Sequence, residues 1–562
     1  MTTSRRFLER GCEILVLVHE IKKILLRVFT SAVYNWDCAE EAKMRFGFLP
    51  KSLALVLTCA VMPALVAGAE KPKHGGVLTL AIGKDITATN PLIRTFSIDE
   101  SVRDLMFEPL LAVDNRGIIQ PNLAQSWEVS GGGKTYVFKL RKGVKFHNGQ
   151  EMTAEDAKFA MDYTMNPKNG ARGYERLDVV ERVETPDKNT LKVTLKKISA
   201  AFLYDLSEIQ AFSVIPKGSL QEGIDKPAQF PPGTGPFKFV EWQPEQRIVV
   251  ERFNDYWGHK AFLDRVILKP LANTTTRLNA LRAGDVDMIE RAPYEWVEQI
   301  KSGKLRGLTT VEAPYASYHQ LVFNVAIPPF NNKKFRQAIA YALDKKEILQ
   351  ATFFGFGTIA DQKYPPGHAW HIKGVPAPSN DLNKARALLA ESGYDGKAVD
   401  IMIRQGSDSE TAASTIQAQL KRIGLNINVR VFEYSAQRTL IQNGTFTFDF
   451  MGSGVHPDPS STYGMELGCI PDLKKRSSNY SGWCDKEVDA LLKSAEIELD
   501  VQKRRELFKQ ILTRAGEEVA VVPITFVSRF FALRDYVKNF STGQDGEFRV
   551  YGGGLNYAWL DK

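Results

Sequence analysis

The segment from Met44 to Ala69 constrains the rest of the chain most, because it decides which residues are available to fold as one body. Met44 is followed by Arg45 and Lys51, by the apolar run 53–67, and by Ala67-Gly68-Ala69, an A-x-A arrangement suited to signal peptidase. The apolar run is short for a membrane span and is followed at once by small residues. The expectation is therefore a cleaved secretory signal over 44–69, a mature chain that starts at Glu70, and a soluble periplasmic product. Residues 1–43 precede a complete signal and read as an upstream extension from a start codon placed too early. Cys59 is a poor lipoprotein cysteine, since Thr58 precedes it and the apolar run continues beyond it.

Cysteine usage agrees with export. Cys12, Cys38 and Cys59 precede the cut, and only Cys469 and Cys484 remain, with fourteen residues between them. In an oxidising compartment such a pair is expected to form a local disulfide, a loop closure worth about 3 kcal/mol in the chain-entropy account. The 493 residues after Ala69 suffice for two or three domains with substantial cores. Without the leader's nine basic and six acidic residues, 64 Lys and Arg stand against 59 Asp and Glu, a net of +5. A mild charge with no Lys/Arg block and no basic helix face speaks against nucleic acid as a partner.

Strand and helix patterns interleave, which predicts an α/β architecture. The run 77–82 reads as a first strand, 135–140 follows the Gly131-Gly132-Gly133 turn, and 191–195 follows Asp187-Lys188-Asn189. Helices are expected over 154–163 behind Thr153, over 333–343 behind Asn331 or Asn332, over 384–391 before the Gly393 stop, and over 488–497 behind Asp485.

Candidate catalytic motifs fail on spacing. Gly133-Lys134-Thr135 has Glu128 where a phosphate loop needs glycine, and Gly233-Thr234-Gly235 runs into Pro236-Phe237 where a dinucleotide loop needs a helix. His368 and His371 sit in a Pro/Gly-rich loop without a HExxH glutamate, and read as a solvated loop. Gly452-Ser453-Gly454 lacks nucleophile-elbow spacing. Neither an enzyme, a cofactor nor a metal site is expected.

Several blocks carry a family resemblance. Ala124-Gln125-Ser126-Trp127-Glu128-Val129, Gly133-Lys134-Thr135-Tyr136-Val137-Phe138 and the run 140–149 stand in sequence, followed by Gly233-Thr234-Gly235-Pro236-Phe237 and Asn254-Asp255-Tyr256-Trp257-Gly258. The runs 282–287, 335–342 and 479–484 complete the series. Together they resemble the extracellular solute-binding proteins of family 5, which serve ABC importers for dipeptides, oligopeptides, opines, haem and nickel. Most of these blocks are expected to build the fold, with Trp257 and Phe237 in the core and Arg336 in a buried ion pair.

The resemblance implies a two-lobed periplasmic-binding-protein type II fold with a hinge. Lobe I would comprise 70–107, 214–316 and 528–562, an inserted subdomain 108–213, and lobe II 317–527, with crossings near Ser317 and Val527. It implies a monomer that closes on a peptide-sized solute and delivers it to membrane permease and ATPase subunits. Among the residues, Arg404 falls near the position of an arginine that grips a ligand carboxylate. The run Gly454-Val455-His456-Pro457-Asp458-Pro459 matches a ligand-binding loop, so Val455, His456 and Asp458 join Arg404 as candidate contacts. Val455 stands where peptide binders place an aspartate for the α-ammonium, and a buried unpaired ammonium costs several kcal/mol. Solutes with a blocked or absent amino terminus, opines among them, are then expected. An extracytoplasmic hydrolase, or a receptor or chaperone on the same scaffold, are the alternative functions.

Overall fold

The computed structural model describes residues 71–93, 97–209, 211–221, 230–544 and 546–562. The expected signal over 44–69 and the upstream extension lie outside them.

The architecture is α/β around an eleven-stranded mixed sheet. In one half Val77–Ile82 runs parallel to both Arg265–Pro270 and Met288–Ile289, and Arg247–Arg252 with Phe237–Gln243 extends that side antiparallel. In the other half Val399–Arg404 lies between Ile427–Phe432 and Phe448–Ser453, parallel to both. Parallel strands covered on both faces need nearly continuous apolar sequence, and Leu80, Ala81 and Ile82 are accordingly all buried.

Two long strands join the halves. Leu308–Phe323 and Val521–Arg534 pair antiparallel, Ser317 faces Val527, and the register breaks between Ala313 and Ser317. On one side of this pairing Phe531 and Leu533 pack in a core with Leu78, Leu80 and Val266. On the other side Leu321, Phe323, Val522 and Ile524 belong to a second core with Ile339, Ile401 and Phe448. One strand pair thus serves two separate hydrophobic cores, and the molecule is two-lobed.

A four-stranded antiparallel sheet of Ala124–Ser130, Thr135–Leu140, Thr190–Leu195 and Val180–Asp187, in that order, packs into the first core. Its first turn holds Gly131, Gly132 and Gly133 at φ of 57°, 63° and 91°, a left-handed run that residues with Cβ atoms resist. Gly233 and Gly235 serve differently. Neither is left-handed; a Cβ there would stand 1.9 Å from the Met106 carbonyl oxygen and 2.7 Å from that of Leu105, so close backbone approach is what excludes larger residues.

Helix starts follow local capping chemistry. Thr153 and Asp156 form a reciprocal capping box on Ala154–Met165, and the side chains of Asn332, Asp381 and Asp485 accept backbone N–H groups at the starts of Lys333–Ala342, Leu382–Glu391 and Lys486–Ile497. Arg336 is buried as expected, but its guanidinium mainly donates to the carbonyls of Phe330, Glu518 and Val519, with the Glu518 carboxylate at 3.6 Å. It therefore secures the C-terminal end of helix Val501–Glu518. Cys469 and Cys484 form a disulfide, which ties the segment after helix Pro459–Leu467 to the start of Lys486–Ile497.

Candidate functional site

A cleft of about 1000 Å³ is lined by Ile98, Phe107 and Ile209 of the first core and, across from them, by Tyr318, Tyr364, Val455 and Phe526. One wall comes from the first lobe and is organised by Glu108, a carboxylate with no exposed surface in the run Phe107-Glu108-Pro109. Glu108 accepts hydrogen bonds from Thr234 Oγ1 (2.8 Å), Tyr256 OH (3.0 Å) and Trp257 Nε1 (2.8 Å), and pairs with Arg549 at 2.6 Å. Tyr256, Trp257 and Arg549 line the cleft, so one buried charge fixes three wall side chains. Although burial alone would lower it, neighbouring Tyr256 and Glu108 hold the Arg549 guanidinium above its ordinary value. Arg141 lies over the Trp257 ring at 4.5 Å. Trp257, expected in the core, is instead half-buried in the cleft wall.

The same lobe supplies a ladder of charges. Arg172 pairs with Glu100 at 2.7 Å, and Arg176 pairs with Glu208. Burial pushes the Glu100 carboxyl up to about 7 against the pull of Arg172 and Arg103.

A chamber at the end of strand Phe448–Ser453 is built mainly from the second lobe, with Tyr315 at the crossing between the lobes. Tyr315, Tyr318 and Phe526 surround Val455, with the Phe526 ring 5.5 Å from each tyrosine ring. The Lys363 ammonium stands 5.4 Å from the Tyr318 ring centre, 3.2 Å from Ser453 Oγ and 3.0 Å from Glu466. His368 stacks on Tyr364 with 4.7 Å between ring centres and lines the cleft, and burial lowers it to about 4. It is packed against Gly117 and is not the solvated loop residue its sequence context implied.

The four expected contacts separate into two pairs. Val455 and His456 line the cleft. Arg404 does not: it ends its strand on the exposed surface, with its guanidinium 4.8 Å from the Tyr434 ring centre. A strand-end position near the family's arginine carried no information on which way the chain leaves the strand. Asp458 does not line the cleft either. It is fully buried, caps helix Pro459–Leu467 by accepting from Ser460 N, and forms a two-point ion pair with Arg504 at 2.6 and 2.7 Å. Its charge is consumed inside the second lobe, which leaves it no part in holding an ammonium.

Sequence reasoning missed Glu108, Arg176, Glu208, Lys363 and Arg549. Only Glu108 carried a local signal, a charge inside the apolar run Phe107-Glu108-Pro109-Leu110; Arg176, Glu208 and Lys363 stand among other polar residues and look like ordinary surface charges.

A binding cleft between two lobes joined by a strand pair defines a two-lobed solute-binding protein. Residues 119–469 match the family described as bacterial extracellular solute-binding proteins, family 5 middle, and the chain belongs to that family. Relatives include the heme-binding protein A of Haemophilus influenzae, 30% identical over 77% of this chain and 84% of that protein, and the dipeptide-binding protein of Escherichia coli, 28% identical over 75% and 83%. Among solved structures, the binding protein AgaA of A. tumefaciens R10 in complex with agropinic acid aligns with a TM-score of 0.71 at 27% identity, covering 87% of this chain and 99% of that one. The chain is the solute-binding component of an ABC importer and not an enzyme.

Proposed function

We propose that the chain, matured by cleavage after Ala69, works as a periplasmic monomer that captures a peptide-sized amphipathic solute and presents it to an inner-membrane permease and ATPase. The hinge is Ser317 with Val527, between lobe I (70–107, 214–316 and 528–562, with the subdomain 108–213 inserted) and lobe II (317–527). A cleft of about 1000 Å³ stands at the upper end of small-solute sites, about 300–1,000 Å³, which leaves room for a solute of several residues.

The observation that carries the reading is the chamber at Val455. Tyr315, Tyr318 and Phe526 pack around this position, and Glu466 nearby is already paired with Lys363, so a free α-ammonium placed there meets mainly apolar surface. An apolar or aromatic end group suits it, while Arg141 on the facing wall suits an anionic group. Blocked peptides and opine-like solutes share that chemistry, and the agropinic acid complex of a 27% identical protein favours the opine class.

Calorimetry with paired free and N-acetylated dipeptides tests the reading. The wild type should prefer the acetylated member by about tenfold, the discrimination a single buried polar mismatch gives, and Val455→Asp should reverse that order. Tighter binding of the free dipeptide by the wild type refutes the reading.

A further inference from the structure

His456 lines the cleft, yet its imidazole is committed elsewhere. Backbone N–H of Asp458 donates to Nδ1 at 2.9 Å, which leaves the ring proton on Nε2. Nε2 lies 3.3 Å from Asp205 Oδ1 and 3.4 Å from Glu208 Oε1. His456 sits in the loop before helix Pro459–Leu467, held on the second lobe by Tyr364 OH, which donates to its carbonyl at 2.7 Å, and by its own N–H, which donates to Thr462 Oγ1 at 3.0 Å. Asp205 and Glu208 belong to the other lobe, where Phe202, Leu206 and Ile209 anchor them in the first core.

The contact is dry and reciprocal. The side chains of His456 and Asp205 are 2% and 5% exposed, and neither Nε2 nor Oδ1 makes an aligned hydrogen bond among the described residues, so the contact between them is a close electrostatic approach of two otherwise unpartnered buried atoms. Glu208 is also paired with Arg176, so the imidazole enters a preformed acidic pocket that already holds one cation. Two further contacts run between the same bodies beside it. Ala369 N donates to the Arg116 carbonyl at 2.7 Å, and Trp370 Nε1 donates to Tyr204 OH at 3.2 Å, with Trp370 buried in a further cluster of the second lobe with Tyr364, Tyr463 and Phe508.

We propose that His456 is a positioning residue, the bolt of a protein-to-protein latch that holds the two lobes closed independently of the solute's chemistry. Because the latch is made wholly of this chain's own groups, it stabilises the closed form equally for every solute, and the chamber at Val455 alone discriminates among solutes. The protein therefore visits the closed form without solute. A first solute contact then has less ordering left to supply, which raises affinity without raising selectivity.

The test measures interlobe distance in the full mature chain, unfolded and refolded to strip co-purified molecules. Spin labels at Lys188→Cys and Lys503→Cys, both exposed, report across the latch by pulsed electron resonance. Wild type should show a short-distance population with no solute added. His456→Leu should reduce it by about tenfold, since it leaves the buried Asp205 carboxylate facing an apolar group, and His456→Gln, which retains an N–H donor, should restore part of it. Asp205→Ala tests the contact from the other lobe should His456→Leu fail to fold, and should produce the same loss. A wild type with only the long distance, or a short-distance population that survives in the folded variants, overturns the proposal.

Discussion

Glu108 and Arg549 stand 441 residues apart in the chain and meet at 2.6 Å beneath the cleft. The pair ties the beginning of the first lobe to its C-terminal end, and it holds Tyr256 and Trp257 in the cleft wall.

Glu108→Gln should therefore damage stability and binding together. It leaves Arg549 without its charge partner and loosens three wall residues at once, so unfolding free energy should fall by about 2 to 4 kcal/mol and solute affinity should weaken in parallel. Chemical denaturation alongside calorimetry reads both quantities. A stable variant with wild-type affinity would show that the wall does not depend on Glu108.

Asp458 and Arg404 should behave in the opposite sense with respect to binding. Asp458→Ala breaks a buried two-point ion pair with Arg504 and should cost about 3 to 5 kcal/mol of stability, with solute affinity unchanged for the fraction that remains folded. Arg404→Ala, on an exposed strand end, should stay within about 0.5 kcal/mol of wild type and leave affinity unaltered. A large, selective loss of affinity in either variant would return that residue to the binding site.

Much of the fold was legible because its signals are local. Thr153 with Asp156, or Asp485 before Val488, writes a helix start within four residues, and Gly131-Gly132-Gly133 writes a turn within three. The disulfide was legible for a different reason, since only two cysteines follow the expected cleavage site. The site was largely illegible because the cleft is assembled from both lobes: Glu108 reads as an isolated charge until Thr234, Tyr256, Trp257 and Arg549 arrive around it. Arg404 failed for the same reason. Strand Val399–Arg404 was visible, but which residues its end faces is set by the Ile427–Phe432 neighbour and by Tyr434.

The disulfide should be complete and stabilising. Thiol titration of the denatured, unreduced mature chain should find essentially no free cysteine. Reduction should cost about 3 kcal/mol for a loop of this length. Two titratable thiols would contradict the pairing.

Acid should destabilise the fold through histidines that are held neutral. Burial lowers His147, His319 and His368 to about 4 from an ordinary 6.5. Between those values the unfolded chain binds protons that the folded chain does not, so their contribution is whole above pH 6.5 and is lost as pH falls toward 4. His319 stacks on Phe450 and packs at a tilt against Phe353, and its Nδ1 is buried without a hydrogen-bond partner among the described residues, so His319→Phe should flatten the acid limb by up to about 1.4 kcal/mol per pH unit. Urea unfolding of both proteins at several pH values gives the comparison, and identical slopes would exclude His319 as a contributor.

The most direct test of the account is the identity of what the cleft holds. Protein purified from its native periplasm, denatured, and examined by mass spectrometry of the released small molecules should yield a peptide-sized amphipathic solute, about one per chain, that carries an anionic group and a blocked or absent α-amino group. A ladder of unmodified peptides with free amino termini would contradict the chamber at Val455 as the determinant of what this protein binds.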